Sequence, residues 1–175
     1  MNGWLRLVLA AQVAFFGVWG GMLVRSHAGA PSVWIATEPV DPRDLLSGHY
    51  VALRYRMSSA DAVGCGAPPG TTVWVRLAET GETATTADGP VPLVDAAGCV
   101  TERPAADPGE RWIAGTVEPE RGRGRITYGI ERFYVPEASA LRGVGSGQVV
   151  ARLAIGENGT ARIEALVPIT RGGAR

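Results

Sequence analysis

The sequence predicts a mainly β domain, an antiparallel barrel or sandwich of about seven to eight strands, behind one N-terminal transmembrane helix. Three observations predict it. Residues 7–24 read LVLAAQVAFFGVWGGMLV, an apolar run in which Gln12 is the one strongly polar residue. After residue 31 the chain breaks into short alternating runs punctuated by glycine and proline, of which the sequence holds 24 and 12. No long segment there carries a helical period; residues 41–46 and 136–141 suit one or two helical turns.

The apolar run divides the chain into an anchor with a short linker (residues 1–30) and an exported β domain (residues 31–175). At about 1.5 Å per residue the run nearly crosses a hydrocarbon core of ~30 Å, and Trp4 and Trp19 suit the two interfaces. Arg6 and Arg25 flank it, so the positive-inside bias favours an inside N-terminus only weakly. A cleaved signal peptide is the competing reading, because Ala28, Gly29 and Ala30 have the small-x-small form of a cleavage site. The run is longer than a usual signal core of about 7–15 residues, and Pro31 would follow the scissile bond. A retained anchor is the expectation, and either way the domain leaves the cytoplasm.

Charge excludes several functions. The chain is neutral overall, with 17 basic and 17 acidic residues. Arg6 and Arg25 precede the first acidic residue, Glu38, which leaves the domain 15 basic residues against 17 acidic, a net of −2. A mildly acidic domain without a basic cluster offers nucleic acid no footprint. Every basic residue is arginine, the composition of a GC-rich bacterial genome, and any mechanism that needs lysine is excluded. Cys65 and Cys99, both in glycine-rich stretches, read as a disulfide in an exported domain; the alternative is two thiols without a role. His27 and His49 do not add ligand spacing to them, so no metal and no cofactor is expected.

The strands follow in order. Residues 33–37 form the first and 49–57 the second. Residues 72–77 place Val73, Val75 and Leu77 on one face and Trp74 and Arg76 on the other. Residues 80–110 read as an irregular excursion with one short strand. Residues 112–117 and 125–135 come next, the latter continuous to Pro136. The last hairpin sets Val149, Ala151, Leu153 and Ile155 against Ala161, Ile163, Ala165 and Val167 across Asn158-Gly159, a pair suited to the two positive-φ positions of a type I′ turn. That turn also accounts for the Asn-Gly-Thr sequon.

Two segments stand apart, DPRDLLSGHYVALRY at 41–55 and TYGIERFYVPE at 127–137. Their order behind an apolar helix resembles the GDYXXLXY protein family, with GHYVALRY at 48–55 as the signature; the resemblance spans roughly residues 5–167. His49 stands where the family name has aspartate. The resemblance implies a membrane-anchored bacterial protein that accompanies polytopic membrane proteins; it implies no reaction. The turn into the strand is also similar to that of the leader-peptidase family, but the nucleophilic serine would fall at Val40 and no lysine base exists.

Within these segments the candidate binding residues are Tyr50, Leu53, Tyr55, Tyr128, Glu131 and Tyr134, where aromatic faces and a carboxylate would line a contact surface. Asp44, Glu131 and Glu137 are the weaker catalytic candidates, since paired carboxylates serve acid–base chemistry. Arginine neighbours at 54, 56 and 132 make Glu131 better suited to a cross-strand ion pair, and Asp44 to a cap or a pair with Arg43. A non-enzymatic module that holds a membrane-protein partner or an envelope component is favoured over an envelope hydrolase or transferase.

Overall fold

A computed structural model of the chain describes residues 3–27, 32–38, 50–105, 107, 109–120, 123–134 and 147–170. Its contacts fall into two units, Met1–Pro31 and Ser32–Arg175. The first is one helix, α1 (Gly3–His27). Its Gly3–Met22 stretch is long and apolar enough to cross a membrane.

The second unit is mainly β. Its strands are β1 (Ser32–Ala36), β2 (Tyr50–Ala52), β3 (Thr72–Thr86), β4 (Gly89–Val100), β5 (Arg111–Glu120), β6 (Arg123–Thr127), β7 (Arg132–Tyr134), β8 (Val149–Ile155) and β9 (Ala161–Pro168). Seven form one sheet in the order β6-β5-β3-β4-β1-β8-β9, and β2 pairs with β7 in a separate ribbon. Neighbours are antiparallel except β1 and β4, which run parallel and are paired in the ladder at one position, Trp34 with Leu93. That thin joint lets the sheet double over. Val73 and Val75 of β3, Ile113 of β5 and Ile126 of β6 then share a core with Val33 and Ile35 of β1 and Leu153 of β8. The result is sandwich-like, with no closed barrel among the described residues.

Sequence patterning accounts for the inner face. Val73 and Val75 are wholly buried and Leu77 is 6 % exposed, while Trp74 and Arg76 lie half-buried on the other side. Each such aliphatic side chain contributes about 1.5–3 kcal/mol of burial. β8 differs: Val150 and Ala154 are buried as well as their neighbours, and Arg152 alone of the strand is exposed. Val150 packs with Ala84 and Leu93 in a small second core on the outer face, flanked by Trp34 and Val167.

Three expectations are corrected. The excursion at 80–110 is largely β, because β3 and β4 form a long hairpin out to Thr86 and Gly89. Two irregularities, after Arg76 and after Glu79, break its period-two pattern and conceal it. The strand expected at 125–135 is two strands, parted by Gly129 at φ 78°. In the last turn only Gly159 is left-handed, at φ 76°, and Asn158 is not. Gly159 N–H donates to the Gly156 carbonyl (2.8 Å), the pattern of a turn closed by a glycine bulge rather than type I′. A side chain at 159 would run into the Trp74 ring, which selects glycine there. The helical turns expected at 41–46 and 136–141 lie outside the described residues.

Candidate functional site

The two distinctive segments meet. β2 and β7 pair in register, Tyr50 with Tyr134, Val51 with Phe133 and Ala52 with Arg132. Beyond the ribbon the chains stay together through Leu53 N–H, which donates to the Glu131 carbonyl at 2.8 Å. The turn at 128–131 that precedes β7 needs Gly129 for its positive φ and a partner for its amides. Glu131 supplies that partner: its Oε1 accepts from Tyr128 N–H at 2.6 Å.

Two tyrosines lock the meeting from inside. Tyr55 is 1 % exposed and its hydroxyl donates to the Ile130 carbonyl at 2.9 Å. Tyr128 is 6 % exposed and its hydroxyl donates to the Met57 carbonyl. Gly115 of β5 makes room for the Tyr128 ring, since a Cβ there would lie 2.9 Å from Tyr128 Cδ1. Burial, and then the negative charge of Glu131, push both phenols well above the ordinary tyrosine range; Asp95 adds to the effect at Tyr128. At neutral pH both hydroxyls are protonated and act as donors.

The candidate binding residues therefore divide by position. Leu53, Tyr55 and Tyr128 face the core and hold the two segments together. Glu131 is half-buried and engaged with the Tyr128 amide. Tyr134 is 71 % exposed on β7, with Tyr50 as its cross-strand partner. Asp44 and Glu137, with His49, lie outside the described residues. Among the described residues no group of three or more His, Cys, Asp or Glu is placed to hold a metal ion.

The match that decides the family runs through both segments: the model of the GDYXXLXY protein family fits residues 13–166. The chain belongs to that family. No curated protein and no solved structure matches it. In this GDYXXLXY chain the signature tyrosine and leucine at 55 and 53 are thus packing residues, and the same holds for Tyr128 of the second segment.

The expected disulfide is formed, but a groove beside it escaped the sequence reading. Cys65 and Cys99 are bonded. They line an open groove of about 740 Å³ with Pro68, Val100, Arg103 and Trp112. Arg103 lies 5.6 Å from the centre of the Trp74 ring and donates to the Glu157 carbonyl at 3.3 Å. Trp112 Nε1 donates to Glu110, whose carboxylate also meets Arg76 at 3.8 Å. The run Glu102-Arg103-Pro104 just after Cys99 was the available signal, hidden inside a stretch read as irregular.

Proposed function

We propose that this chain is a membrane-anchored, extracytoplasmic β module of a bacterial cell, on the periplasmic or cell-surface side, that binds a polytopic membrane protein or an envelope component without catalysis of its own. The disulfide supports the compartment, because such bonds persist in oxidising surroundings. The helix Gly3–Met22 supports the anchoring. The observation that carries the binding reading is the disposition of the two family segments. Their inner groups are consumed in joining them, and what the ribbon turns outward is an aromatic edge at Tyr134. Exposed tyrosines of this kind anchor interfaces, burying a large rigid face at low entropic cost. Glu131, committed to a backbone amide, is a structural acceptor in this reading rather than a proton donor.

A photo-crosslinking residue placed at 134 in the full-length protein tests it, with position 82 on the β3–β4 hairpin as the control. One membrane-protein adduct, formed from 134 and absent from 82, is the expected result. Adducts equal at both positions, or none at 134 in a folded protein, would sink the module reading.

A further inference from the structure

We propose that residues 64–70 form a redox-gated strap: a dithiol reductant reaches the Cys65–Cys99 bond through the open groove, cuts it, and releases the strap while the sheet stays folded.

The anchoring of this loop is concentrated at its two ends. On one side Ala60 N–H donates to the Gly124 carbonyl at 3.0 Å, and Val63 is buried at 7 % exposure. On the other, Gly70 N–H donates to the Val117 carbonyl at 2.7 Å, and Val117 N–H donates to the Thr71 carbonyl at 3.0 Å. Between these ends the ties are few. Cys65 N–H reaches back to the Ala60 carbonyl at 2.8 Å, within the loop itself. Among the described residues, no backbone hydrogen bond joins Gly66 or Ala67 to the sheet, and Pro68 and Pro69 have no N–H to give. Cys65 and Ala67 rest against the core, the Pro68 carbonyl accepts from Thr71 N–H at 3.2 Å within the loop, and the bond to Cys99 is the covalent tie of the middle to β4. Gly64 and Gly70 bracket the segment at φ 68° and 85°, and they supply the conformational freedom of two hinges.

Access is built in. Both cysteines are half-buried rather than sealed, and both belong to the wall of the groove. A thiolate of the dithiol attacks one bridge sulfur and expels the other as a thiolate, leaving a mixed disulfide. The second thiol of the reductant then attacks that mixed disulfide and leaves as the oxidised cyclic dithiol. Two electrons pass to Cys65 and Cys99, and the two protons the reductant gives up go to their sulfurs. Gly64, Gly66, Ala67 and Pro68 of the strap line the groove together with Val100 and Trp112. Release of the strap therefore widens the groove and uncovers Trp112, so that its shape follows the redox state of its surroundings.

The test is the rate of bond reduction by dithiothreitol in the full-length protein in mild detergent, without denaturant, read together with amide hydrogen exchange. The expected rate rises in proportion to dithiothreitol, and the extra exchange after reduction is confined to residues 64–70. Val149→Ala, at a buried position of β8, lowers global stability without touching the strap. It is expected to leave the reduction rate within about twofold, as local opening requires. A rate that levels off with dithiothreitol and rises by about tenfold or more in Val149→Ala would show that the bond opens only with the whole fold, and would overturn the proposal. So would exchange that spreads through β3, β4 and β5 on reduction. A Cys65→Ser/Cys99→Ser chain is expected to reproduce the reduced exchange pattern with the sheet protected; loss of that protection would count against the strap.

Discussion

Tyr55 and Tyr128 are reciprocal partners: each hydroxyl donates to the carbonyl two residues beyond the other tyrosine, Tyr55 to Ile130 and Tyr128 to Met57. The seam between the family's two segments is thereby closed twice, by the same side-chain type running in opposite directions. Each bond satisfies a buried carbonyl that no strand ladder reaches, which makes the pair costly to break.

Tyr55→Phe or Tyr128→Phe keeps the ring and orphans one buried carbonyl, and each is expected to cost about 1–3 kcal/mol of stability. The double variant is expected to depart from the sum, because both bonds hold one seam. Urea unfolding of the four proteins gives all the terms. Additive losses would mean that the two tyrosines act independently.

The alkaline limb of the stability curve follows from the same pair. Both phenols are raised above the ordinary tyrosine value in the fold, by burial and then by Glu131. The unfolded chain ionises Tyr55 and Tyr128 near pH 10 and the fold resists it, so these two contribute stability in full below that point and lose it as pH rises further. The slope approaches about 1.4 kcal/mol per pH unit for each group. There is no lysine to obscure the window. Phenolate absorbance at alkaline pH is expected to rise with the unfolding transition, and in Tyr55→Phe/Tyr128→Phe the fall in stability is expected to be shallower.

Glu131 separates a structural acceptor from a chemical group. Glu131→Gln retains an oxygen for the Tyr128 amide and is expected to fold within about 1 kcal/mol of the parent, whereas Glu131→Ala loses the acceptor and about 1–3 kcal/mol. Should the adduct from position 134 vanish in a folded Glu131→Gln chain, the carboxylate itself would belong to the contact surface.

Gly159 tests the corrected turn. Its φ of 76° and the Trp74 ring leave no place for a side chain. Gly159→Ala is expected to destabilise by about 1–3 kcal/mol through strain and overpacking. Asn158→Ala is expected to cost less, since it removes the acceptor of the Thr160 amide (3.1 Å) without a positive φ to satisfy. Thermal unfolding of the two variants orders them.

The inner face of the fold was legible because β3 and β1 alternate with period two. Val73, Val75, Leu77, Val33 and Ile35 point inward as that pattern requires. The β3–β4 hairpin was not legible, because Thr80, Gly81 and Glu82 oppose Leu93 across a wide irregularity that no local pattern records. The seam was half legible. The tyrosines of both segments stood out, but whether each faces in or out depends on a change of phase between Ile130 and Phe133 that no local pattern records. Tyr128 and Ile130 went into the core, and Tyr134 stayed at the rim.

The parallel joint at Trp34 and Leu93 places the first strand of the domain between β4 and β8. Ser32 consequently meets Glu164 across 132 residues of chain. This first strand thus cannot find its second neighbour until the final hairpin has emerged, and contacts of such high sequence separation are slow to close. The chain must therefore keep β1 waiting, exposed on one edge, through most of its own synthesis. Its assembly is therefore governed by the arrival of its last strands, and the interval before they arrive is when the nascent domain is most open to pairing with the wrong edge.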